Sequence, residues 1–167
     1  MMYIYKAAVI GAGTMGSQIA QVISYSGLPV ILKDIDETAV NKGIGSIRKI
    51  YQARVDKGKM TLAEMEQKMA LISVTTGYEG FSDVDIVIEA AIEDMEVKKK
   101  IFSELDSVTP QHAILATNTS SLSISAIGAA TRRPEKVIGI HFFNPAYAMK
   151  LVEVIPGLAT SSETIDD

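Results

Sequence analysis

The segment Val9-Ile10-Gly11-Ala12-Gly13-Thr14-Met15-Gly16 constrains the fold of this chain more than any other. A short apolar run ends in a glycine-rich turn, after which Met15, Ile19, Ala20 and Ile23 recur at helical spacing until Gly27. That is a strand, a tight turn and a helix. Val30 to Leu32 follows at once as a second buried-strand run ending in Asp34. So short a return suits a βαβ unit, whose two strands are parallel. Further strands are expected at Leu71 to Thr75, Asp85 to Glu89, Ala113 to Thr117 and Val137 to Phe142, with a helix from Asp94 to Leu105. Leu151 to Ile155 alternates weakly and reads as one more strand.

Alternating elements of this kind predict an α/β fold, a doubly wound, mostly parallel Rossmann sheet. One departure from the minimal pattern is a helical pair over about 37–70: Ile44, Ile47, Ile50 and Tyr51 share one side, Gly58 breaks the run, and Thr61 with Glu64 has capping-box spacing. At 167 residues and 47% hydrophobic, residues 1–167 suit one domain with a sizeable core. A net charge of -4 offers no general attraction to a polyanion, which argues against nucleic acid as a partner. The absence of cysteine excludes disulfides, cysteine-ligated metals and thiol nucleophiles, so redox chemistry here must come from a cofactor. No apolar run is long enough for a membrane span and no leader pattern precedes the first strand, so the expectation is a soluble, cytoplasmic protein with no membrane partner.

Glycines at this spacing serve a pyrophosphate: Gly11 permits the turn, Gly13 lets the backbone approach the anion, and Gly16 lets the helix sit close to the sheet. Asp34, 21 residues beyond Gly13, can accept hydrogen bonds from a ribose diol and would repel a 2′-phosphate, which favours NAD over NADP. Asp36 is the alternative ribose ligand, although it lies beyond the strand where a helix cap is expected. Of the two histidines, His112 follows Pro110 in a polar turn, whereas His141 ends a strand run on the side where ligands of such sheets gather. His141 is the candidate acid/base. Glu153 lies 12 residues later, far enough for Pro145 to turn the chain and bring a carboxylate beside the imidazole. Ser120, at the end of the preceding strand, can hold a substrate oxygen, and Asn118 can contact the cofactor or shape that turn.

Together GAGTMG, VIEAAIEDMEVKKKIFSELD, ATNTSSLSI and GIHFFNPAYAMKLVEVI resemble the NAD-binding domain of the 3-hydroxyacyl-CoA dehydrogenases, particularly the 3-hydroxybutyryl-CoA type, from about Lys6 to about Ser162. The resemblance implies interconversion of (S)-3-hydroxyacyl-CoA and 3-oxoacyl-CoA with NAD, His141 as acid/base, Glu153 as its partner and Ser120 on the reacting oxygen. It also implies a phosphate turn of Gly11, Ala12, Gly13, Thr14, Met15 and Gly16, cofactor contacts at Asp34, Glu93, Lys98 and Asn118, and a CoA contact near Ser46. Lys42, Arg48, Lys49, Arg54, Lys57 and Lys59 would form a local electropositive arm for CoA phosphates. Family members continue into a helical C-terminal domain that contributes a catalytic asparagine, acyl pocket and dimer interface, a role Asn144 cannot fill by position. The expected partners are therefore acyl-CoA and either a separate helical domain or a second copy, with an exposed apolar surface at Phe142, Phe143 and Leu151 to Leu158. Without such a partner the chain would be an NAD-binding module with little turnover. A short sugar-nucleotide or β-hydroxyacid dehydrogenase domain would share the phosphate loop but not the Ser120, His141 and Glu153 segments.

Overall fold

Strand β1, Ala7–Ile10, runs through the middle of a seven-stranded sheet in the computed structural model, which describes residues 2–167. All four of its side chains are buried, and they enter two different layers. Ala7 and Val9 join an apolar cluster with Ile19, Ile47, Tyr51 and Met65, while Ala8 and Ile10 join another with Phe81, Phe102 and Leu105. A strand buried on both faces needs helices on both faces. Helices α1 (Thr14–Ser26), α2 (Glu37–Asp56) and α3 (Leu62–Met69) cover the first, and α4 (Met95–Val108) and α5 (Ile124–Gly128) cover the second.

The remaining strands are β2 (Val30–Lys33), β3 (Ile72–Thr75), β4 (Ile86–Glu89), β5 (Ile114–Thr117), β6 (Val137–Phe142) and β7 (Val152–Pro156). Their spatial order is β3-β2-β1-β4-β5-β6-β7, with β1 to β6 parallel and β7 antiparallel to β6. The chain leaves β1 toward β2 and β3, then returns to build β4 on the other side. That reversal opens a crevice beyond the carboxyl ends of β1 and β4. The doubly wound sheet is the one expected from the alternating pattern.

Each expected strand and helix is present, with no end displaced by more than three residues and β6 as expected at both ends. Asp94, read as helical, is instead the N-cap of α4, its carboxylate accepting from Val97 N at 2.9 Å. Two five-residue helices were not anticipated: α5 and α6 (Ser162–Asp166) are too short for an apolar period to register. Their available signals were the capping serines Ser123 and Ser161, which accept from Ala126 N and Thr164 N.

The helical pair after β2 is not a free arm. Ile47, Tyr51, Met65 and Met69 are buried in the α1-side cluster, and the Tyr51 hydroxyl is satisfied by Ser24 Oγ at 2.6 Å and the Gln21 carbonyl at 3.1 Å on α1. Thr61 and Glu64 form the reciprocal cap that their spacing indicates. Among the described residues no helix is long and apolar enough to cross a membrane.

Candidate active site

Helix α1 begins where the glycine turn ends, and its N-cap, Gly13, has no side-chain cap. The first amides of the helix are thus left to meet an anion, with the positive end of the helix dipole behind them. Gly13 is exposed, and a Cβ there would meet nothing within 4 Å, so the approach is open. Gly11 and Gly16 are required by crowding. Gly11 has φ +97° and a Cβ on it would lie 2.5 Å from the Ala90 carbonyl oxygen; a Cβ on Gly16 would lie 1.6 Å from the Gly11 carbonyl oxygen.

Asp34 faces this turn. Its Oδ2 accepts from Ala12 N at 2.6 Å and its Oδ1 from Ile35 N at 2.7 Å, which holds the carboxylate at the rim of a cavity of about 510 Å³ lined by Gly11, Gly13, Ile35, Ile92 and Val97 among others. Ile35 and Ile92, both lining this cavity, are 84% and 68% exposed, so it presents apolar side chains to a ligand. Asp36 does not line it. Its carboxylate caps α2 by accepting from Ala39 N at 2.8 Å, the helix-cap position its place beyond the strand suggests.

Parallel strands put their carboxyl ends on one edge, so β5 and β6 deliver Asn118, Ser120 and His141 to the edge that carries the glycine turn. The antiparallel β7 sets Glu153 directly opposite His141, and Nδ1 lies 2.9 Å from Glu153 Oε2. The imidazole is about one-fifth exposed and packs edge-on against Phe143, centroids 4.9 Å apart. With Nδ1 engaged by the carboxylate, Nε2 is the nitrogen left for a reacting proton. Asn118 Oδ1 accepts from Phe142 N at 2.8 Å, tying β5 to the residue after the histidine. The Ser120 hydroxyl has no hydrogen-bond partner among the described residues, whereas its backbone N–H donates to Glu93 at 3.1 Å. His112 lies at the opposite sheet edge, 3.0 Å from Asp85.

Glu93 also accepts from the Thr119 hydroxyl and lies 3.5 Å from Lys98 Nζ. Partial burial pushes its carboxyl upward, but Thr119, the Lys98 cation and the Ser120 N–H outweigh that and hold it below the ordinary glutamate value. Its contribution is therefore present at neutral pH and lost only as pH falls through that lowered value. Lys98 is itself buried, its ammonium 2.7 and 2.9 Å from the two oxygens of buried Glu89. Glu89 further accepts from Thr117 Oγ1 at 2.7 Å and Ala91 N at 2.7 Å. Sequence reasoning passed over Glu89, Thr119 and Gln18. An acid inside an apolar run was the available signal for the first, and nothing local marked the others.

The basic residues separate into two groups. Arg48 is spent on Glu66 of α3 at 2.7 Å, and the Ser46 hydroxyl donates back to the Lys42 carbonyl at 3.0 Å. Lys49, Arg54, Lys57 and Lys59 line a second cavity of about 610 Å³ between α1, α2 and the segment at Tyr147. Arg54 lies over the Tyr25 ring, and two polar atoms of residues lining this space, Gln21 Oε1 and Arg54 Nε, are buried without hydrogen-bond partners among the described residues. The expected apolar surface is present at Leu151, Val152, Val154, Ile155 and Leu158. It does not include the phenylalanines: Phe142 packs on the core and Phe143 on His141.

A glycine turn at a helix start, an acid closing the second strand and a histidine–carboxylate pair on one sheet edge define a dinucleotide-binding dehydrogenase domain. Residues 6–167 match the family model described as "3-hydroxyacyl-CoA dehydrogenase, NAD binding domain", and the chain belongs to that family. It is 48% identical over 161 residues to a 3-hydroxybutyryl-CoA dehydrogenase of Clostridioides difficile, covering 96% of this chain and 57% of that protein. It is 45% identical to a 3-hydroxyadipyl-CoA dehydrogenase of Escherichia coli K12, covering 99% of this chain and 35% of that protein. The solved (S)-3-hydroxybutyryl-CoA dehydrogenase PaaH1 of Ralstonia eutropha superposes with a TM-score of 0.94 at 41% identity, covering 97% of this chain and 57% of that one. The chain thus spans between about a third and somewhat over half the length of these relatives. The open approach at Gly13, the uncapped start of α1 and the Asp34 rim fit the dinucleotide, NAD, that the family uses.

Proposed function

We propose that this chain is the cofactor-binding and proton-handling portion of an enzyme that interconverts (S)-3-hydroxyacyl-CoA and 3-oxoacyl-CoA. The observation that carries this reading is the His141–Glu153 pair, Nδ1 to Oε2 at 2.9 Å, on the sheet edge that also carries the glycine turn. Gly11, Ala12, Gly13, Thr14, Met15 and Gly16 would hold the pyrophosphate and Asp34 the adenosine ribose, and Ile35 and Ile92 would offer apolar surface to the adenine. Bound NAD supplies the acceptor for the hydride that leaves the substrate's C3. Ser120 orients the C3 oxygen by hydrogen bonding, and His141 Nε2 takes the hydroxyl proton as the C–O bond becomes a carbonyl. Glu153 accepts from Nδ1–H, fixes the tautomer and stabilises the imidazolium that results. In the reverse direction the same nitrogen returns the proton. Glu93 and Lys98 shape the nicotinamide end of the cofactor site, with Asn118 beside them.

The 610 Å³ cavity supports a CoA substrate. Its cations, Lys57 and Lys59 among them, suit phosphate groups, and the two unpartnered buried atoms suit a polar ligand; Ser46 is on the same helix but outside the cavity's lining, with its hydroxyl on the Lys42 carbonyl.

Two measurements test the reading. Asp34→Ala is expected to weaken NADH binding about 10- to 100-fold, the loss of a charge-assisted hydrogen-bond pair, and to narrow the preference over NADPH. Titration by NADH fluorescence with no change in either quantity would remove Asp34 from the site. Because the chain spans only part of its relatives' length, turnover is measured as acetoacetyl-CoA-dependent NADH oxidation, alone and with the remaining segment of a relative supplied separately. His141→Gln is expected to lower the supported rate about 10²- to 10⁴-fold with NADH affinity retained. Full activity in that variant would end the acid/base assignment, while NADH binding without turnover in any mixture would favour a nucleotide-binding module.

A further inference from the structure

We propose that Gln18 is a positioning residue that links nucleotide docking on α1 to the placement of His141. The inference rests on the nucleotide-binding reading above and adds to it a residue that no part of that reading uses. Gln18 lies one helical turn beyond Thr14, the first residue of α1, and is only 9% exposed. Its two polar atoms leave the helix together. Oε1 accepts from Ala146 N at 2.7 Å, and Nε2 donates to Asn144 Oδ1 at 3.3 Å.

The segment it holds begins immediately after the histidine strand. From Phe143 to Met149 the backbone bonds within itself, Ala148 N and Met149 N both donating to the Pro145 carbonyl. Among the described residues, the hydrogen bonds that side chains elsewhere in the domain make to it are the two from Gln18. Asn118 anchors the near end at Phe142 N from β5, so one side-chain amide on each side of the crevice holds the chain as it leaves His141. Ala146 is buried and Ala146, Tyr147 and Ala148 wall the basic cavity, so the same clip also sets that wall. A helix moves as a rigid unit. An anion drawing on the amides at the start of α1 therefore displaces or stiffens Gln18, and through it the far turn.

ADP-ribose separates this linkage from direct contact, because it carries the adenosine and pyrophosphate groups but no nicotinamide to touch His141. The probe is nuclear magnetic resonance of the intact chain, in which two histidines make the His141 ring signals assignable. In the unmodified chain, ADP-ribose is expected to shift the Gly13 and Thr14 amides and, with them, the Ala146 amide and the His141 imidazole. Gln18→Met keeps the length and helical preference of the side chain but neither hydrogen bond. It is expected to bind ADP-ribose with the response at Ala146 and His141 reduced to about a fifth or less. Gln18→Glu, whose carboxylate still accepts from Ala146 N and can take the turned amide of Asn144, is expected to restore most of it. Should Gln18→Met fail to fold, Asn144→Ala, which removes one arm without altering α1, is expected to lose about half the response. A response unchanged in Gln18→Met or Asn144→Ala, or absent from the unmodified chain despite binding, overturns the linkage. Failure of the unmodified chain to bind ADP-ribose overturns the nucleotide reading and the linkage with it.

Discussion

Gly16→Ala is expected to reduce NADH affinity at least about 100-fold, about 2.7 kcal/mol, and to lower thermal stability at the same time. The added methyl would sit 1.6 Å from the Gly11 carbonyl oxygen and 2.8 Å from its carbon, well inside van der Waals contact. Neither neighbour is a flexible side-chain tip. Gly11 cannot retreat, since a Cβ at that position would itself meet Ala90 at 2.5 Å, so its backbone already lies against β4's end. The overlap can be relieved only by lifting α1 off the sheet or opening the turn. Either change carries the amides of Gly13 and Thr14 away from the anion they face, and a displacement near 1 Å suffices for a loss of this size. Affinity and melting temperature should therefore fall together. A variant with unaltered NADH affinity would show that the turn does not hold the cofactor.

Lys98→Met is expected to destabilise the fold by about 3–5 kcal/mol, measured by urea unfolding. Lys98 and Glu89 are 1% and 0% exposed, and the cation contacts both carboxylate oxygens. Removing it strands a buried carboxylate with only the Thr117 hydroxyl and the Ala91 N–H as donors. A buried pair gives little net stability over an apolar substitute, so the loss reflects the orphaned charge rather than the pair's own strength. The double variant Lys98→Met, Glu89→Gln removes that charge and is expected to recover about 2 kcal/mol, a coupling that simple cavity formation would not produce. A loss below about 1 kcal/mol in the single variant would mean that Glu89 is accommodated without its cation. Lys98 also neighbours Glu93, which clamps the Thr119–Ser120 loop. Its removal should thus loosen the site as well as the core.

These two sites differ in how far they could be read from residue order. Gly16 was legible because a turn between a strand and a helix admits few solutions, and glycine at fixed offsets is the mark of one of them. Asp34 was legible for the same local reason. Lys98 was marked only by the resemblance, as a cofactor contact, and its buried pairing with Glu89 was not legible, because it depends on α4 packing against β4. Gln18 was less visible still: its partners Asn144 and Ala146 lie more than 120 residues away in the chain. Of the basic run after Asp34, Lys49, Arg54, Lys57 and Lys59 gather round one cavity, whereas Arg48 is turned to Glu66, a division that residue order does not show. The side on which α2 buries Tyr51 was legible from the apolar spacing, but the hydroxyl's partners on α1 and the use of Arg48 on Glu66 follow from how the helical pair packs.

Order of residues alone determined the alternation of strands and helices, the phosphate turn, the acidic rim and the candidate histidine. All are set by short-range steric and hydrogen-bonding rules acting over a few residues. Tertiary structure decided which of Asp34 and Asp36 faces the cleft, which cations remain available, and the register that sets Glu153 opposite His141 across the expected return strand. Those outcomes depend on sheet order and helix packing, through which residues far apart in the chain compete for the same partners and the same buried space.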